Sequence, residues 1–166
     1  FHGISEEQWR ASVRLEAVQE ALKQHLATPE RLRETYRRDP ARFASVSIAR
    51  IGCRTREDAE RVMAAVADER CDFVELAREF SVDETTRQCG GYIGNVKRGI
   101  LPAEVERQAF AGGDNRIIGP FRETGLWTVY KVYTVNVPKL NESLKGVLRD
   151  QIYAEWLREQ VCTVPA

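Results

Sequence analysis

Phe73-Val74-Glu75-Leu76-Ala77-Arg78-Glu79-Phe80-Ser81, then Asp83, then Gly90-Gly91-Tyr92-Ile93-Gly94, is the stretch on which the fold turns. In its first half Phe73, Leu76, Ala77 and Phe80 recur at three- and four-residue steps. They share one face of a helix over 72–80 and need a surface to cover. The glycines of the second half reach backbone conformations closed to other residues, so the chain turns or packs closely there. Asp83, in Ser-Val-Asp-Glu, also suits a plain turn or helix cap. Cys89 reads as a small buried residue beside the glycines.

Upstream, Val46 and Ile48 alternate with Ser45 and Ser47, which predicts a strand over 44–51. Thr55 caps a helix whose inner face is Ala59, Val62, Met63 and Val66. Downstream, Pro102 opens a short helix to Phe110, and Gly112-Gly113 closes it. Strands follow over 117–122 and 126–135, joined by a hairpin turn at Glu123-Thr124-Gly125.

Both ends of the chain read as helical. Ser5 and Gln8 form a capping box, with Ile4 and Trp9 placed for a hydrophobic staple. Val13, Leu15, Val18, Leu22 and Leu26 make an apolar stripe. Thr28-Pro29 starts a second helix, which Asp39-Pro40 stops. After Pro138, Asn141 caps a long helix in which Leu140, Leu144, Leu148, Ile152 and Trp156 recur every four residues beside Val147. No sheet remains for either stripe, so 5–26 is expected to pack on 141–161. The expected division is 1–43 helical, 44–136 sheet-containing, and 137–166 a returning helix.

Of 166 residues, 43% are hydrophobic and 30% charged, and the formal net charge is zero. That balance suits a folded chain and supplies no global field toward nucleic acid or an anionic membrane. The arginines between 31 and 42 are interleaved with Glu30, Glu34 and Asp39, as on a solvated helix face. No apolar run approaches a membrane span. The four cysteines match no zinc pattern, and His2 and His25 are far apart, so no metal or other cofactor is expected. Unpaired thiols and the absence of a visible leader favour the cytoplasm, with the envelope as the setting if the chain is trimmed.

Five pieces in order resemble the parvulin-type (PpiC, rotamase) peptidyl-prolyl isomerases. They are the Phe73–Ser81 helix, Asp83, Gly90-Gly91-Tyr92-Ile93-Gly94, the pair Arg98-Gly99-Ile100-Leu101-Pro102 and Ala109-Phe110, and Ile118-Gly119-Pro120-Phe121. Residues 26–43 resemble the lead-in of SurA-like and PrsA-like foldases, which also return a C-terminal helix to their N-terminal helices. The resemblance implies an α+β fold. A four-stranded antiparallel sheet is surrounded by helices, with a helical lobe built from both chain ends. It also implies a prolyl isomerase or foldase acting on an unfolded or proline-containing client.

Parvulin sites place two histidines on neighbouring strands. By resemblance these positions fall on Arg50 and Trp127, so both histidines are missing, while the aspartate position survives as Asp83. Asp83 is the candidate catalytic residue, with an Arg50–Asp83 ion pair expected in place of the histidine network. The proline pocket falls on Leu101, Val105 and Ile93, so Arg50, Ile93, Leu101, Val105 and Trp127 are the candidate substrate-binding residues. A strand tryptophan fills a core as readily as it stacks on a ligand, and valine for phenylalanine removes a flat packing face. Catalysis is therefore expected to be weak or lost. The alternative is a noncatalytic peptide-binding domain of a bacterial peptide-maturation or secretion system.

Overall fold

The computed structural model describes residues 5–67 and 71–162. The chain divides into two compact units, one of Phe1–Pro40 with Lys139–Ala166, the other of Ala41–Pro138. The described residues contain seven α-helices and four strands, an α+β fold.

The first unit holds α1 (Glu6–Leu26), α2 (Pro29–Arg38) and α7 (Glu142–Cys162). Ser5 and Gln8 close the expected capping box; Ile4, the staple partner of Trp9, lies outside the described residues. Thr28 caps α2 through its hydroxyl, with Pro29 in the first turn. Helix α7 buries Leu144, Leu148 and Ile152, three residues of its stripe. Helix α1 packs on α7, but through a narrower face than the stripe predicts. It buries no residue fully, and Val13, Leu15 and Val18 are exposed. Contact comes at its C-terminal end, where Lys23 Nζ bonds Asp150 at 2.5 Å and sits 5.6 Å from the Tyr153 ring centre.

The second unit carries the sheet, β1 (Ser45–Cys53), β2 (Tyr92–Lys97), β3 (Arg116–Glu123) and β4 (Leu126–Asn136). Its order is β2-β1-β4-β3, and every neighbouring pair is antiparallel. The pleat sends alternate side chains to opposite faces. On one face Ala49, Ile51, Cys53 and Val129 meet Ala59 and Val62 of α3 (Arg56–Ala67) and Phe73, Leu76 and Ala77 of α4 (Phe73–Phe80). On the other, Val46, Ile48, Ile118, Tyr130 and Val132 meet Val105 and Ala109 of α6 (Ala103–Phe110). One further helical turn, α5 (Glu84–Arg87), is capped by Asp83. The sequence pattern left it unread, because four residues show no periodicity.

Among the described residues no helix is long and apolar enough to cross a membrane, and no three or more His, Cys, Asp or Glu side chains gather as a metal site. The four cysteines carry free thiols. Cys89 is exposed, against the expectation of a buried residue. The glycines beside it bury their own backbone and leave position 89 at the surface. Cys53 is the buried one, and burial pushes its pKa up to about 11, so this thiol stays protonated and inert.

Candidate functional site

Arg50 and Gly52 alternate with Ala49, Ile51 and Cys53, so they belong to the α6 face of β1. The segment after α4 is stitched to this strand. Val82 donates its backbone N–H to the Gly52 carbonyl at 2.8 Å. The buried Ser81 hydroxyl accepts from the amides of Gly52 and Asp83, each at 3.3 Å. On the other side, Arg50 donates its amide to the Gly91 carbonyl at 2.8 Å. Position 91 must be glycine: its φ is +79°, and a Cβ there would lie 2.3 Å from the Arg50 carbonyl oxygen. The serine and the double glycine of the opening motif are therefore the residues that aim Arg50 at Asp83.

The ion pair forms. The Arg50 guanidinium contacts Asp83 Oδ2 at 2.8 Å through Nε and at 2.6 Å through a terminal nitrogen. The same oxygen accepts from the Thr86 hydroxyl at 2.8 Å, and Oδ1 accepts from the Thr85 amide at 3.2 Å. Burial pushes the Asp83 pKa up, but the bonds from Thr86 and Arg50, with the arginine charge, outweigh it and hold the carboxyl below its ordinary range. Burial lowers the Arg50 pKa, and its bond to Asp83 with that carboxylate's charge more than restores it. The cap role and the ion-pair role of Asp83 are thus one arrangement.

Behind the pair stands Tyr130, the cross-strand partner of Arg50. Burial and its bond to Glu123 raise the phenol's pKa, so it stays protonated and donates to Glu123 Oε2 at 2.7 Å. The other carboxylate oxygen of Glu123 is buried with no hydrogen-bond partner. A cleft of about 290 Å³ opens at this end of the face, lined by Arg50, Asp83, Glu84, Glu123, Thr124 and Thr128 among others.

Of the six sequence candidates, this cleft gathers only Arg50 and Asp83. Val105 is 1% exposed inside the core under α6, with Leu101 packed against the same cluster. Ile93 is exposed on the edge strand β2. Trp127 faces away, packed on the α3–α4 cluster, with Arg56 and Arg122 each 5.5 Å from its ring centre. The neighbouring residue, Thr128, is the one on the Arg50 face: it pairs with Gly52 across the strands and lines the cleft. Successive residues of a strand take opposite faces, so the position that the resemblance assigns to the second histidine lies across the sheet from the Arg50 side chain. Glu123, Glu84 and Thr128 escaped the sequence reading, since nothing in their spacing marks them.

The rotamase family described as the PPIC-type PPIase domain matches residues 45–134. That is more than half of the chain, and the chain belongs to this family. Its relatives include a parvulin-like PPIase of Rickettsia prowazekii, 28% identical over 73% of this chain and 44% of the relative. Another is foldase protein PrsA 1 of Bacillus cereus, 23% identical over 90% of this chain and 50% of the relative. The chain thus spans about half the length of these curated relatives. Among solved structures, the fold is shared with a PrsA isomerase of Bacillus anthracis (TM-score 0.56, 18% identity, 91% of this chain and 66% of that one). It is shared also with a PpiC-type isomerase domain (TM-score 0.53, 20% identity), which covers 61% of this chain and is itself covered to 99%.

Proposed function

We propose that the sheet-bearing unit holds an extended, proline-containing segment of an unfolded client in the cleft beside Arg50 and Asp83, with weak isomerase activity. The observation that carries this reading is the closed Arg50–Asp83 pair. Prolyl isomerisation faces a barrier of about 18–20 kcal/mol set by amide resonance, and no covalent chemistry is needed to lower it. A site helps by excluding water, holding a twisted peptide, and placing donors and charge where the amide nitrogen pyramidalises. Arg50 keeps its proton throughout the working pH range, and Asp83 keeps its charge. Neither shares a proton as a histidine pair does, so Thr124 and Thr128 are the neutral hydroxyls left on the cleft wall. What remains is a pre-set electrostatic groove, adequate to grip a peptide and poorly equipped to speed its rotation.

The foldase and SurA-like likenesses support client binding over signalling. They also support an envelope setting over the cytoplasmic one: a SurA-like chaperone of Campylobacter jejuni shares the fold (TM-score 0.53) and is described alongside a periplasmic protein. Exchange NMR on a panel of proline peptides tests the central claim. We expect micromolar or weaker binding, amide shifts at Arg50, Asp83 and Thr128, and cis–trans exchange about a hundredfold or more slower than with a two-histidine parvulin. Exchange matching such a parvulin overturns the loss of activity; shifts confined to other regions overturn the cleft.

A further inference from the structure

The cleft is unbalanced in charge. Its lining holds one cation, Arg50, against three carboxylates, Asp83, Glu84 and Glu123. Asp83 consumes Arg50. Glu84, on the α5 wall, is exposed and lies within a cleft that holds no second cation. Glu123, on the β3 wall, is bonded only by a neutral phenol, and its second oxygen is buried without a partner. Arg122, the cation next to it in sequence, lies over the Trp127 ring on the opposite face of the sheet.

A carboxylate shielded from water without a counter-charge projects its field farther than an exposed one, because the surrounding dielectric is low. Glu123, shielded in this way, and the exposed Glu84 together make the cleft attractive to a cation and repellent to an anion. Both line one cleft of about 290 Å³, so a peptide held there lies beside them. Resting on the reading of this cleft as the client groove, the geometry points to a substrate class: segments carrying lysine or arginine next to the proline, with Glu84 and Glu123 as the specificity-determining residues. A lysine or arginine in the cleft then supplies the counter-charge that its carboxylates other than Asp83 lack.

The test uses the whole chain and three peptides differing only in the residue before proline: lysine, norleucine or glutamate. Amide-shift titration gives each affinity. Lysine is expected to bind roughly fivefold more tightly than norleucine, the scale of one or two partly screened ion pairs, and glutamate more weakly than both. Raising the salt shrinks the lysine preference. Glu84→Gln, a surface change that spares the fold, and Glu123→Gln, which retains an acceptor for Tyr130, each bring the lysine-to-norleucine ratio toward one. Equal affinities with shifts at the cleft overturn the charge selectivity and leave the peptide groove standing. Shifts nowhere near the cleft overturn both.

Discussion

Removing the charge at position 83 while keeping its shape, as in Asp83→Asn, isolates what the ion pair contributes. The folded pKa of Asp83 lies below its ordinary value. Its contribution is therefore complete above the unfolded aspartate value of about 3.9 and is lost as pH falls through the folded value. Hydrogen bonds to charged groups are worth about 1.5–3 kcal/mol, and partial exposure of Arg50 places this pair toward the lower end. Urea unfolding should show Asp83→Asn less stable by about 1–2 kcal/mol at neutral pH, with the gap closing in strong acid. A gap unchanged by acid would mean that lost cap bonds, not charge, set the cost. This pair was legible in the sequence because two motifs flank it, Ser81 on one side and Gly90-Gly91 on the other. The packing of Trp127 on the α3–α4 side of the sheet and of Val105 in the core under α6 was not legible in the same way. Spacing along a strand or helix names a position, whereas the face it takes depends on packing that one chain's pattern does not carry.

Helix α6 shows how an element is pinned by a residue outside it. Arg116, at the start of β3, donates to the carbonyls of Gly113 at 2.6 Å, Gln108 at 3.2 Å and Ala109 at 3.1 Å. It thereby satisfies groups that a helix C-terminus leaves open. Gly112 makes room for it, since a Cβ there would meet the guanidinium at 2.6 Å. Arg116→Gln should lower stability by about 1–2 kcal/mol and speed amide hydrogen exchange in α6 before that in α3 or α4. Uniform exchange across all three helices would deny the local role. The helix itself was readable from Pro102 and the following apolar residues; its anchor was not, because a long-range cap has no local signature. The α1 stripe erred in the opposite sense. Its 3.6-residue period is real, but a period states that a face exists and not how much of it finds a partner.

At the scale of the molecule, the residues from Ala41 to Pro138 form a compact unit of their own, with core clusters on both sheet faces. A solved PpiC-type domain of comparable span shares the fold over 99% of its length. Expressed alone, 41–138 is expected to give a dispersed amide spectrum and a single cooperative unfolding transition. A collapsed spectrum would show that the unit depends on the helical segments for its stability. The family was legible because its motifs fall in the sheet unit, where backbone demands fix the residue types. The helical segments reveal only caps and stripes, which many folds share.

Ser45, the first residue of β1, and Asn136, the last of β4, are cross-strand partners. The sheet unit is therefore entered and left at the same end of its two central strands. Antiparallel ladders carry their hydrogen bonds perpendicular to the strands. A tug that draws 41 and 138 apart consequently opens the β1–β4 seam one rung after another, like a zip, instead of shearing many rungs at once. For a domain strung within a longer chain, this makes the sheet mechanically soft along the one axis on which its own backbone pulls.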